Sequence, residues 1–231
     1  MYRRILLKLS GEALSGDRGF GLDAETTREV GEQVKAAAQK GIQIGIVIGG
    51  GNFWRGRSSQ EIDRVKADQI GMLGTVMNAL YVSEIFRGLG METAVYTPYA
   101  IGLYTEIFNK DKAVRDLEQG KITFFAGGTG HPFFSTDMGT ALRAAETECD
   151  IILMAKSVDG VYDDDPAKNP AAKKYDRLSY QELLSKGLKV IDLPAAAFCM
   201  ENHIPTRLFA LKEKGSIIRA AEGEDVGTTL F

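Results

Sequence analysis

The sequence predicts an α/β fold, a three-layer α/β/α sandwich with a mostly parallel central sheet. Three observations carry that expectation. Apolar, β-branched runs of strand length alternate with segments of helical character through the whole length of 231 residues. A run such as "IQIGIVIGGG" is apolar at consecutive positions, as in strands covered on both faces. Three of the turns where a strand run ends are rich in glycine and lead toward helices, as in crossover units.

The elements follow in order. "RRILLKLS" reads as the first strand, and "DAETTREVGEQVKAAAQKG" as a helix with Asp23 as its N-cap and Gly41 as its stop. "IQIGIVIGGG" is the second strand. A helix is expected from about Ser59 to Arg87, ending at the glycines of "RGLGM". "METAVYT" is a strand, "KDKAVRDLEQGK" a short amphipathic helix stopped by Gly120, and "ITFFAGG" the next strand. A helix over Thr136–Glu148 precedes the strand "DIILMAK". The polar stretch "VDGVYDDDPAKNPAAKKYD" reads as a loop, "YQELLSKG" as a helix, and Pro194–Asn202 as another. "TRLFAL" is a strand and "GTTLF" a last edge strand. No linker, low-complexity stretch or internal repeat divides the chain, so residues 1–231 are expected to form a single domain.

Composition narrows the function. Hydrophobic residues make up 44% and charged residues 26%, with a net charge of −3, so neither a nucleic-acid nor a membrane surface is indicated. No run approaches the roughly 20 apolar residues of a membrane helix. The N-terminal "MYRRILLKLSGEAL" is basic and then apolar, but Lys8 breaks the run and no small-residue cleavage site follows, so it reads as a strand and not as a signal peptide. Cys149 and Cys199 fit no metal spacing and are expected to be buried, reduced thiols of a cytoplasmic protein. With His131 and His203 as the only histidines, a zinc site is not expected.

Four strand ends carry unusual residues: "KLSGEALSG", "GGGNFWRG", "AGGTGHPFFSTD" and "KSVDGVYDDDP". Ligands of open α/β sheets sit beyond such carboxyl ends, and backbone N–H groups of glycine turns leading into helices suit anions. The dinucleotide fingerprint fails, because Trp54 and Phe133 stand where its third glycine belongs. The Walker pattern fails because Gly11 and Gly16 are followed by Asp17, and neither a protein-kinase H-R-D loop nor a G-x-S-x-G elbow is present. What remains is a set of glycine turns, Lys8 at the end of the first strand, Arg55 after the glycine triplet, and aspartates near element ends: Asp68, Asp137, Asp159, Asp165 and Asp192. That inventory suits phosphoryl transfer, which needs positioning and fixed positive charge more than a nucleophile.

Taken together, "KLSGEAL", "VIGGGNFWRG", "TGHPFFSTD", "VDGVYDDDP" and "LKVIDLPA" resemble, in this order and over essentially the whole chain, the bacterial uridylate (UMP) kinases of the amino-acid-kinase fold group. The resemblance implies transfer of the γ-phosphoryl of ATP to UMP with Mg²⁺. It implies catalytic roles for Lys8, Arg55, Asp137 and Asp192, with the two aspartates orienting Lys8 and holding Mg²⁺ through water and no direct metal ligand assigned. An N-cap role for Asp137 competes with that reading. ATP is expected against Lys8, Leu9, Ser10, Gly11, Gly51, Arg55, Lys156, Tyr162 and Asp165; in the last case an Asx-rich turn before Pro166 is the alternative. Lys156 stands where many relatives have threonine. UMP is expected against Gly50, against Asp68 through its ribose, and against Thr129, Gly130, His131, Pro132, Phe133, Phe134, Ser135 and Thr136. Bare sequence would instead put Phe133 and Phe134 in the core, and His131 replaces the family's usual asparagine. The loop Gly16, Asp17, Arg18, Gly19, Phe20, Gly21 is the expected seat of activation by GTP, with UTP as inhibitor and a homohexamer as the assembly. The rivals are an amino-acid or carbamate kinase of the same fold and a non-catalytic nucleotide- or oxyanion-binding protein.

Overall fold

The computed structural model describes residues 1–54 and 61–231. Its frame is a nine-stranded sheet built around β1 (Arg4–Leu9), with β2 (Gln43–Ile48) on one side and β6 (Ile151–Lys156) on the other. From β2 the sheet runs outward through β5 (Ile122–Phe125) and β3 (Thr93–Thr97) to β4 (Glu106–Ile107). From β6 it runs through β10 (Thr206–Ala210) and β11 (Thr228–Leu230) to β9 (Arg177–Leu178). Within this sheet all pairings are parallel except β10 with β11.

Side chains alternate across a strand, and β1 divides its residues between two cores accordingly. Ile5, Leu7 and Leu9 join Val30, Val34, Val82, Phe86 and Ile217 under α1 (Ala24–Gln39), α2 (Arg64–Gly88) and α7 (Ser216–Glu222). Leu6 joins Ala113, Ala141, Ala144, Leu183, Ala195 and Cys199 under α3 (Lys110–Glu118), α4 (Thr136–Glu146), α5 (Tyr180–Ser185) and α6 (Leu193–Glu201). The three-layer α/β/α expectation therefore holds. Lys8 shares the face of Leu6, so a lysine is carried beneath α4 at the carboxyl end of the central strand, where chain order reverses and open sheets keep their ligands.

Helix starts follow local chemistry. Asp23, Asp63, Asn109, Ser135, Ser179 and Asp192 each accept a backbone N–H of the helix they precede, and Ser179 with Glu182 completes a capping box. Gly41, at φ 84°, adopts the left-handed conformation that stops α1, as expected.

Several expectations are corrected. The helix expected from Ser59 begins, among the described residues, at Arg64 behind its Asp63 cap. That expected to Glu148 ends at Glu146, and Glu148 turns left-handed at φ 57°. "GTTLF" is not an edge strand, because β9 pairs outside β11. The stretch read as loop contains an antiparallel ribbon, β7 (Val161–Tyr162) with β8 (Lys174–Tyr175), and leads into β9. Cys199 is buried, whereas Cys149 is half-buried; burial pushes their thiols up to about 11 and about 12, so neither is a ready thiolate.

Candidate active site

Lys8 is buried, and burying an ammonium is costly unless it is paired. Its Nζ lies 3.2 Å from Oδ1 of Asp137, in the first turn of α4. The competing N-cap reading of Asp137 is not realised: Ser135 caps α4 by accepting the Met138 N–H at 3.1 Å, which leaves the Asp137 side chain to the strand lysine. Burial acts to raise the Asp137 carboxyl. The Lys8 and Lys156 ammoniums, the Lys8 hydrogen bond and the backbone N–H of Asp192 outweigh it and hold the group below its ordinary 3.8.

Lys156 ends β6 and is drawn into the same cluster. Burial lowers its pKa from the ordinary 10.5, Lys8 lowers it further, and Asp137 and Asp192 pull the other way. Asp192 caps α6, its Oδ1 accepting the Ala195 N–H at 2.8 Å. Two lysines and two aspartates from four elements thus meet at the carboxyl ends of β1 and β6, against the N-termini of α4 and α6. Such helix ends favour anions.

The glycine triplet borders this cluster. Gly49 donates its N–H to the Leu9 carbonyl, and the loop after β1 lies so close that a Cβ on Gly11 would run into Gly49 and Asn52. Gly50 has a different constraint: a Cβ there would stand 2.5 Å from the Gly71 carbonyl oxygen and 3.1 Å from the Thr75 nitrogen. Its glycine is required by the approach of α2, whatever else binds there. Gly50→Ala is therefore expected to lower stability by about 1–3 kcal/mol with no nucleotide present, the usual cost of overpacking, as read by urea unfolding. Gly51 faces the flexible Glu12 side chain. Arg55 lies outside the described residues.

The expected acceptor loop lies between β5 and α4. Thr129 and Gly130 are half-buried and His131 exposed, with the Thr129 hydroxyl 3.3 Å from the His131 N–H. Phe133 and Phe134 are 64% and 53% exposed, so the core reading of these rings fails. Both lie in the polar turn that leads to the Ser135 cap. Phe133 takes a left-handed φ of 71° and donates its N–H to Asp68 Oδ2 at 2.8 Å. The loop is thereby tied to the side of α2, bringing Asp68 to the expected acceptor residues. At the other end of the loop the Thr136 hydroxyl lies near Gly49, 3.9 Å from where a Cβ on that glycine would stand.

Tyr162 and Asp165 are not brought to the Lys8 cluster by any hydrogen bond among the described residues. Tyr162 donates its hydroxyl to Asp159 at 2.8 Å, and that carboxylate also pairs with Lys174 at 3.1 Å. Asp165 accepts the Ala167 N–H at 3.0 Å and Asp164 accepts the Asp165 N–H at 2.8 Å, the Asx-rich turn that the sequence left open.

Sequence reasoning missed the polar residues that fix these loops. Asn52 and Asn78 form a buried reciprocal amide pair at 2.9 and 2.8 Å. Asn78 also donates to the Gly49 carbonyl at 2.6 Å, and Asn52 to that of Gly21 at 2.7 Å. Thr75 accepts the Gly127 N–H at 2.8 Å, joining α2 to the start of the acceptor loop. The signal was present: Asn78 and Thr75 interrupt a helix face whose Val76, Ala79 and Val82 are core, and buried polar groups need partners. The loop Gly16–Gly21 is pinned to the triplet by these bonds, by the Gly21 N–H on the Asn52 carbonyl at 3.2 Å, and by an edge-on contact of Phe20 with Phe53, centroids 5.5 Å apart.

Comparison with known proteins agrees with this fold. The model of the amino acid kinase family matches residues 3–210. The structure is similar to the UMP kinase from Bacillus anthracis, with 36% identity, a TM-score of 0.96, and 99% of this chain and 96% of that one covered. It is similar to the UMP kinase from Ureaplasma parvum, with 34% identity, a TM-score of 0.93, and 100% and 99% covered. With the uridylate kinase from Archaeoglobus fulgidus it shares 29% identity and a TM-score of 0.77 over 98% and 99%. Matched in sequence over residues 3–210 and in structure along nearly its whole length, the chain belongs to the amino acid kinase family.

Proposed function

We propose that the chain transfers the γ-phosphoryl group of ATP to UMP, giving UDP and ADP. The cluster of Lys8, Lys156, Asp137 and Asp192 at two helix N-termini is the observation that carries this reading. The similarity to UMP kinases over nearly their full length narrows the acceptor. In the step, a phosphate oxygen of UMP attacks the γ-phosphorus in line. The bond from that phosphorus to the bridging oxygen breaks, and its electron pair leaves with ADP. The attacking oxygen is already anionic, so no strong general base is needed. Lys8 sits against the equatorial oxygens as charge develops, with Asp137 fixing its ammonium and Lys156 adding a second cation. Arg55 is proposed as a further fixed charge. Leu9, Ser10, Gly11 and Gly51 contribute backbone groups for the ATP phosphates, and Tyr162 and Asp165 meet the nucleoside. UMP lies against Gly50, Asp68 and the Thr129–Thr136 loop.

ATP is expected as its Mg²⁺ complex. Asp137 and Asp192, hard oxygen donors in the cluster, fit an ion held through water and bound chiefly by the phosphates, where it would neutralise their charge. Binding of GTP at Gly16–Gly21 is supported by that loop's ties to the triplet through Asn52 and Phe53. UTP is the proposed inhibitor. A homohexamer is supported by the exposed apolar stripe of Ile70, Leu73, Met77 and Tyr81 on one face of α2. No helix among the described residues is long and apolar enough to cross a membrane, and a cytoplasmic location is proposed.

A coupled assay of ADP release tests the reading across UMP, CMP, acetylglutamate and aspartate, with and without GTP. Turnover with UMP well above the others is expected. A preference for acetylglutamate or aspartate would make the chain an amino-acid kinase, and no ADP release with any acceptor would leave a binding protein.

A further inference from the structure

Arg64 opens α2 and reaches one turn along it, its Nε 3.0 and 2.9 Å from the two oxygens of Asp68. Taken alone this is an i,i+4 ion pair of the kind common on helix surfaces, which shifts an equilibrium by only about twofold. Two further contacts set it apart. Asp68 Oδ2 also accepts the Phe133 N–H at 2.8 Å, across 65 residues of chain. The Arg64 guanidinium, in turn, lies over the Phe133 ring, 5.4 Å from its centroid. The three residues close a triangle in which Arg64 holds both the carboxylate and the aromatic ring of the residue bound to that carboxylate. The Asp68 side chain is only 13% exposed, so its two oxygens have little room to reorient, while the Arg64 side chain is 38% exposed.

We propose that Arg64 is a positioning residue for the acceptor site, fixing the Asp68 carboxylate and the tip of the Thr129–Thr136 loop as one unit. The inference rests on the reading above, in which Asp68 meets the acceptor ribose. A planar guanidinium can bridge two oxygens through one N–H while its face covers a ring, and neither lysine nor glutamine does both. The contacts of Arg64 are with Asp68 and Phe133 on the proposed acceptor side, away from the residues proposed for ATP, so its loss is expected to act on acceptor binding and leave donor binding alone.

The test compares wild type with Arg64→Gln and Arg64→Lys. Arg64→Gln is expected to raise the KM for UMP roughly tenfold through misplacement of a binding group, with the KM for ATP unchanged and a narrowed preference for UMP over dUMP. Arg64→Lys is expected to recover only part of the loss. A second readout needs no turnover: amide hydrogen exchange at Phe133 in the nucleotide-free protein should accelerate in Arg64→Gln, with Tm little changed. A UMP KM within about twofold of wild type, the size of a surface pair, would overturn the proposal while leaving the proposed function intact. So would complete recovery by lysine, since charge alone would then suffice. Unaltered Phe133 exchange would overturn the grip itself. A wild-type enzyme inactive on UMP fails at the earlier step, and the acceptor-site role falls with it.

Discussion

Lys8→Ala is expected to lower kcat by roughly 10²–10³, the loss typical of removing one preorganised charge stabiliser. The structure adds a condition to that experiment. Lys8 and Asp137 are a largely buried pair, and removing one partner of a fully buried pair leaves the other uncompensated, at about 3–5 kcal/mol in typical cases. Lys156 shares the field at Asp137 and softens that loss. The single variant therefore mixes a catalytic defect with a stability defect, which the pair Lys8→Met and Lys8→Met/Asp137→Asn separates. The double variant should regain thermal stability, because no charge is left unpaired, and should regain no turnover. The pH dependence carries the same logic. With its folded pKa below the ordinary 3.8, Asp137 contributes stability that is present above that value and is lost as pH falls through the lower folded one. Without Lys8 the folded pKa rises, so acid unfolding of Lys8→Met should begin at higher pH than in wild type. Turnover of Lys8→Ala within about tenfold of wild type, measured at saturating ATP and UMP, would remove Lys8 from the transfer step.

The legible and illegible parts of this protein divide along physical lines. Strands β1, β2 and β6 were legible because burial on both faces demands continuous apolar residues, and Lys8 stood out as the exception in such a run. Helix α1 was legible through its Asp23 cap and Gly41 stop. The two-residue strands β4, β7, β8 and β9 were not, because so short a strand has no period to read. Helix α7 was missed for a related reason: Gly215 before it and Gly223 after it, both left-handed, leave only seven residues between them, and no side chain caps its start. At the site, residue types and order pointed to Lys8 and Asp137, but the partnership of Asp137 depended on which neighbour capped α4. Local sequence offered Asp137 as that cap, and the structure gives the position to Ser135 and Asp137 to Lys8. Asn78 was marked only as a polar residue on a core face, and its partners, like the roles of Asn52 and Arg64, were invisible for a deeper reason. Each acts by joining segments 26 to 65 residues apart, directly or through Asp68, and no local pattern records such a contact.

Asp68→Ala is expected to raise the KM for UMP and to narrow the gap between UMP and dUMP. A largely buried carboxylate positioned to accept a ribose hydroxyl penalises an analogue that lacks it, since the partner is left unpaired. A hydrogen bond to a charged group contributes about 1.5–3 kcal/mol, or roughly 10- to 150-fold. Where in that range the effect falls follows from the nucleotide-free geometry. Asp68 Oδ2 already accepts the Phe133 N–H at 2.8 Å, so a ribose hydroxyl at that oxygen exchanges with an existing bond instead of adding one. Exchange moves the expectation to the lower end, near tenfold, with dUMP a poor acceptor for wild type. Asp68→Asn refines the test by keeping the shape and one acceptor oxygen while losing the charge that Arg64 holds, so it should lie between alanine and wild type. CMP presents an amino donor where uracil has a carbonyl. Its proposed reader is the Thr129–Thr136 loop and not Asp68, so discrimination against it should survive in both variants. The measurement is kcat/KM for UMP, dUMP and CMP in the three proteins. An unchanged UMP-to-dUMP ratio in Asp68→Ala would take Asp68 out of the ribose site and leave its bond to Phe133 as a loop anchor alone.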